Sequence, residues 1–163
     1  MRIQSTNPKQ LTSIVPEEVY ELASGRKGSH NGQSKGRKSK YRSPKPDGPR
    51  RVLVFGRLFE LALYRAEVLR SRGYSVLTPR TKAEAIAAIE NGEFDAVVLS
   101  YTLSSDTAEE LMERARQKCP GCPLITISDT GSVDRRLHPD IVIPAKEGPA
   151  ALIKALQRAF RTQ

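Results

Sequence analysis

This chain has few of the side chains that most chemistry needs. It contains two cysteines and two histidines in 163 residues. Cys119-Pro-Gly-Cys122 has no second CxxC or paired histidine to complete the four ligands of a structural zinc site. A redox pair gains reactivity when its first cysteine sits at a helix N-terminus. Here the pair follows a helical pattern, where the dipole has the opposite sign. The spacing therefore reads as a turn with two ordinary thiols, fortuitous oxidation being the alternative. His30 and His138 have no triad partner visible in the sequence and read as solvated loop residues. No apolar run reaches the ~20 residues needed to span a bilayer, and the N-terminus lacks a signal-peptide apolar core. With so few cysteines and no export signal, the expected setting is a reducing cytoplasm.

Acidic residues are almost missing from one stretch. Residues 26–51 carry ten Lys/Arg against Asp47 alone, and account for a net charge of +9, the whole chain's excess. They hold one large apolar residue, Tyr41, so they cannot bury enough surface to offset chain entropy and read as disordered. This divides the chain into an N-terminal segment (1–25), a basic linker or tail (26–50) and a folded domain (51–163). Within the first segment, Ser13–Ser24 reads as a short helix: Pro16 suits its first turn, Glu17 and Glu18 complement its dipole, and Gly25 stops it.

The folded part alternates apolar runs with helical patterns. Strands are expected at Val52–Phe55, Tyr74–Leu77, Ala96–Leu99, Leu124–Ile127 and Ile141–Ile143. Helices are expected over Leu58–Ser71, from a capping box at Thr81 and Glu84, from a second box at Thr107 and Glu110, and from Gly148-Pro149. Such alternation implies a parallel sheet with helices on both faces. Between Ser128 and Ile141 no helical period is visible.

Several segments carry a resemblance: Arg51-Val-Leu-Val-Phe55, Arg72-Gly-Tyr-Ser-Val76, Ala85-Ile-Ala-Ala-Ile89, Phe94-Asp-Ala-Val-Val-Leu99 and the run from Cys119 to Ile127. In order and spacing residues 51–163 resemble a response-regulator receiver domain. The resemblance implies an α/β/α sandwich on a five-stranded parallel sheet of order 2-1-3-4-5, receiver- or flavodoxin-like, with the fourth helix reduced. It also implies where a phosphorylation site would lie. The two metal-holding acids are replaced by Gly56 and Arg57, the phosphoacceptor Asp by Ser100, and the Lys after strand five by Pro144-Ala145; the hydroxyl after strand four survives as Ser128.

A carboxylate accepts a phosphoryl group because Mg²⁺, held by neighbouring carboxylates, neutralises transition-state charge. Arg57 would repel that metal, and Ser100 has no base beside it in the motif. Arg57 mimicking the metal's charge, or joining Arg135 and Arg136 to bind an anion, are lesser alternatives. The expectation is a non-enzymatic interaction module in bacterial signalling, with no cofactor, no metal and no catalytic residue, acting on a protein partner or as a homodimer. The alternative is a DNA- or RNA-binding regulator in which Lys35, Arg37, Lys38, Lys40 and Arg42 track phosphates. A plain linker, or an arm for an acidic protein or membrane surface, are the other uses of such a tail.

Overall fold

The computed structural model describes residues 48–162; the expected Ser13–Ser24 helix and the basic segment up to Asp47 lie outside them. Five parallel strands, β1 (Arg51–Phe55), β2 (Ser75–Leu77), β3 (Ala96–Ser100), β4 (Leu124–Ser128) and β5 (Ile141–Pro144), pair in the order β2-β1-β3-β4-β5. Helices α1 (Phe59–Arg70), α2 (Lys82–Glu90), α3 (Ser105–Lys118) and α4 (Gly148–Arg161) connect or follow them.

Strand alternation divides the core in two. Leu53, Val97, Leu99 and Leu124 point to the face covered by α2 and α3, where they meet Ala85, Ile89, Leu111 and Met112. Val52, Val54, Val98, Ile125 and Ile127 point to the other face, against Ala62, Leu69, Leu152 and Leu156. Because β3 and β4 are covered on both faces, every one of their residues is buried and they read as unbroken apolar runs. β1 and β3 are tied where they enter the sheet. The buried carboxylate of Asp95 accepts from the Arg51 backbone N–H at 2.7 Å and from its guanidinium at 3.0 Å.

The elements expected within the described residues are all present, with two local corrections. Helix α3 starts before Thr107: Ser104 is its N-cap, its hydroxyl accepting from the Thr107 N–H at 3.4 Å. Glu110 turns outward to Lys82 and Arg114, joining α3 to α2 through side-chain pairs, so the second capping box does not form. The first box forms in half. Thr81 accepts from the Glu84 N–H, but the Glu84 carboxylate takes the N–H of Arg80, one residue upstream of the cap.

A third correction concerns the cysteines. Cys119 and Cys122 form a disulfide across the Pro120-Gly121 turn, their Cα atoms 5.3 Å apart. The turn, with the Cys122 N–H donating to the Cys119 carbonyl, holds them at bridging distance. The expectation of two free thiols fails here.

No helix lies between β4 and β5. Residues 129–140 form an irregular connection pinned by polar clamps. The Ser128 hydroxyl donates to the Ser132 carbonyl, and Asp140 accepts from the Leu124 N–H at 2.7 Å. Arg116 bonds the His138 carbonyl and the Asp140 carboxylate. Arg136 reaches Asp134, Asp106 and Glu109. Leu137 drops into the α3-side core. Among the described residues no helix is long and apolar enough to cross a membrane.

Candidate functional site

In a parallel α/β sheet, ligands and chemistry gather beyond the carboxyl ends of the strands, where loops and helix N-termini converge. Gly56, Arg57, Ser100, Ser128 and Pro144 all lie at that end. The structure gives these five positions quite different surroundings.

Gly56 is buried directly against Ser100. A Cβ added at Gly56 would stand 2.6 Å from the Ser100 Cβ and 3.1 Å from the Thr102 hydroxyl. Gly56 thus has no room for any side chain unless β3 gives way. The neighbouring Arg57 is exposed, and its backbone N–H donates to the Thr102 hydroxyl at 3.0 Å. That bond closes the β1–α1 turn onto the turn after β3.

Ser100 is buried, and its hydroxyl accepts from Arg65 Nη1 at 3.2 Å. The cation that reaches Ser100 is therefore Arg65, from the middle of α1, and not Arg57. Burial pushes the Arg65 pKa down, while the nearby Tyr101 phenol opposes the shift. Sequence reasoning missed Arg65. The available signal was its place between Ala62 and Leu69, three residues after one and four before the other, inside the apolar stripe of α1.

Ser128 is buried at the end of β4, but its hydroxyl is spent on the Ser132 carbonyl. Pro144 ends β5 beside it. Arg136, one of the arginines expected to gather near the pocket, is instead held by the carboxylates of Asp106, Glu109 and Asp134. Its guanidinium and backbone N–H in turn hold Asp134 at about 2, below its ordinary 3.8.

Two cavities flank the Ser100–Tyr101 segment. One, about 280 Å³, lies where the β4–β5 connection replaces a helix and is lined by hydroxyl residues including Ser105, Thr126 and Thr130. The Thr126 hydroxyl is buried there without a hydrogen-bond partner among the described residues. The other, about 230 Å³, lies between α1, β5 and the start of α4, and Arg65 lines it. Among the described residues no group of three His, Cys, Asp or Glu side chains converges to hold a metal ion.

This sheet order and helix placement define a CheY-like α/β fold, and solved structures agree. The likeness is to response-regulator receiver domains. A CheY-like receiver domain protein from Methanospirillum hungatei is 22% identical over 68% of this chain and 93% of its own, with a TM-score of 0.59. A response regulator receiver protein from Sinorhizobium medicae is 22% identical over 69% and 95%, with a TM-score of 0.60. The non-phosphorylated HemR receiver domain from Leptospira biflexa is 23% identical over 68% and 93%, with a TM-score of 0.58. At such identities the likeness is one of fold. No family model and no curated protein matches the sequence.

Proposed function

We propose that this protein is a receiver-fold regulatory module of bacterial signal transduction that works by protein contact without aspartyl phosphorylation. One observation carries the reading: Ser100, which we take to stand at the phosphoacceptor position, is buried, packed against Gly56 and hydrogen-bonded to Arg65. Phosphoryl transfer to a side chain needs a nucleophile and a cation held by anionic ligands opposite it. This site offers a neutral hydroxyl facing a guanidinium and no carboxylate pair. Asp129 and Asp134 line the cavity beside Ser100, but Asp134 is held by Arg136; on this reading the module is not an enzyme and needs no cofactor. A cytoplasmic setting belongs to the same reading.

The partner is proposed to be a protein, a second copy of the chain included. β5 is an edge strand, and the irregular connection beside it replaces a helical surface with clamped polar loops. Sedimentation of the full chain over a concentration series separates self-association from a hetero-partner.

The central test is chemical. Incubating the full chain with acetyl phosphate and Mg²⁺, beside a working receiver as control, is expected to leave its intact mass unchanged. A hydroxylamine-labile gain of one phosphate would sink the proposal. A second reading, contact with nucleic acid, is favoured by the charge of residues 26–51 and is argued below.

A further inference from the structure

Five arginines are half-buried among the described residues, and four of them are electrostatically matched. Arg51 pairs with Asp95, Arg114 with Glu110 and Arg116 with Asp140. Arg50 lies over the Phe160 ring at 5.1 Å. The fifth is Arg65. Its guanidinium donates to a neutral hydroxyl, Ser100, and no carboxylate among the described residues pairs with it. A guanidinium brings five N–H donors, and desolvating its charge without an anion is unfavourable. The downward push that burial exerts on the Arg65 pKa is the same cost seen from the titration side.

This cation lines the 230 Å³ cavity between α1, β5 and α4. No Asp or Glu lines it. Leu61, Ile127, Ile143 and Leu152 make its walls largely apolar, and the rings of Tyr64 and Tyr101, both exposed, stand at the same site. At ~30 Å³ per molecule the space equals about eight waters, enough for one small ring and a charged group. Apolar walls with few placed polar groups are the usual make-up of a small-molecule site.

We propose that this cavity binds a small carboxylate with an apolar body, its carboxylate paired with Arg65 and its body packed between Tyr101, Ile143 and Leu152. A carboxylate matches the guanidinium fork and supplies the single negative charge the site lacks. A free phosphate fits less well, since it brings no apolar surface and asks for more donors than one arginine beside apolar walls provides. The site goes beyond the interaction module argued above. It rests on that reading only for its consequence, a chemical cue in place of a phosphoryl group; the binding itself does not depend on it.

The test is a ¹H–¹⁵N correlation titration of the labelled full chain at matched ionic strength. The probes are sodium benzoate, its neutral isostere benzamide, and inorganic phosphate. Benzoate is expected to give saturable shifts at Arg65, Tyr101, Ile143 and Gly148, with affinity about tenfold above benzamide or phosphate. Arg65→Met, which keeps an unbranched stem but no charge, is expected to lose about tenfold in benzoate affinity, and Arg65→Lys to retain part of it. Equal affinities for benzoate and benzamide, shifts confined to residues 26–51, or no saturable shift would overturn the proposal. Should Arg65→Met fail to fold, the isostere comparison on the unaltered chain still decides. Acetyl phosphate labelling is a separate readout: a positive result there would sink the non-phosphorylated module and leave the benzoate result standing.

Discussion

Gly56 shows how one missing side chain settles what a site can hold. Its Cα lies so close to Ser100 that even a methyl group would meet the Ser100 Cβ at 2.6 Å. That is backbone-anchored contact on a central strand, so the neighbour cannot swing away. Gly56→Ala is therefore expected to destabilise the fold by about 1–3 kcal/mol, the usual range for overpacking. Removing the obstructing Cβ should relieve much of this. In urea unfolding, Gly56→Ala combined with Ser100→Gly is expected to cost less than the two single changes added together. Additive costs would show that the contact is not the constraint. The same residue explains what the sequence could and could not say of the site. The absence of acids at Gly56, Arg57 and Ser100 was legible, because an absence needs no geometry. That Arg65 and not Arg57 would reach Ser100 was not, since it depends on how α1 is rolled against the sheet.

At the scale of elements, the connection between β4 and β5 is the most distinctive part of the fold. Twelve residues without helical period replace a helix, and ion pairs and one buried leucine hold them in place. Arg136 is the hub, and its hydrogen bonds hold Asp134 at about 2. A carboxyl whose folded pKa is depressed stabilises above its unfolded value near 3.8 and loses that contribution as pH falls through about 2. Asp106 and Glu109 face the same guanidinium, so Asp134 must be isolated by substitution. The Arg136 backbone N–H is expected to lose protection from exchange between about pH 4 and about pH 2. Asp134→Asn is expected to show that weakened protection already at neutral pH. Unchanged protection in the variant would mean that Leu137, not the clamp, holds the connection. Here the sequence was a good guide to type and a poorer one to boundaries. Thr107 and Glu110 matched a capping pattern, yet Ser104 caps α3, because Glu110 has better partners in Lys82 and Arg114 on the α2–α3 surface. Strand order, by contrast, was what the resemblance implied, and all five strands pair as expected.

For the whole molecule the governing fact is the partition of charge. Residues 26–51 carry ten cations and one acid, while the rest of the chain is nearly balanced. Several charged side chains on the described domain pair with one another, as the α2–α3 pairs and the Arg136 hub illustrate. The basic stretch has no comparable set of acids in its own sequence, so a polyanion would supply the counter-charge it lacks. Neutralising phosphates releases condensed counterions, and each contact adds about −0.9 to the slope of log affinity against log salt on duplex DNA. If Lys35, Arg37, Lys38, Lys40 and Arg42 each cover one phosphate, the slope for the full chain is about −4.5. Replacing those five by glutamine in the full chain is expected to abolish both the affinity and the slope, without changing the fold. Fluorescence anisotropy with duplex DNA and with RNA, at low and high salt, reads both quantities. A flat salt dependence, or binding that survives the five substitutions, would remove nucleic acid from this segment's roles. The charge would then act as a linker or meet an acidic protein, which returns the weight of function to the Ser100 end of the sheet.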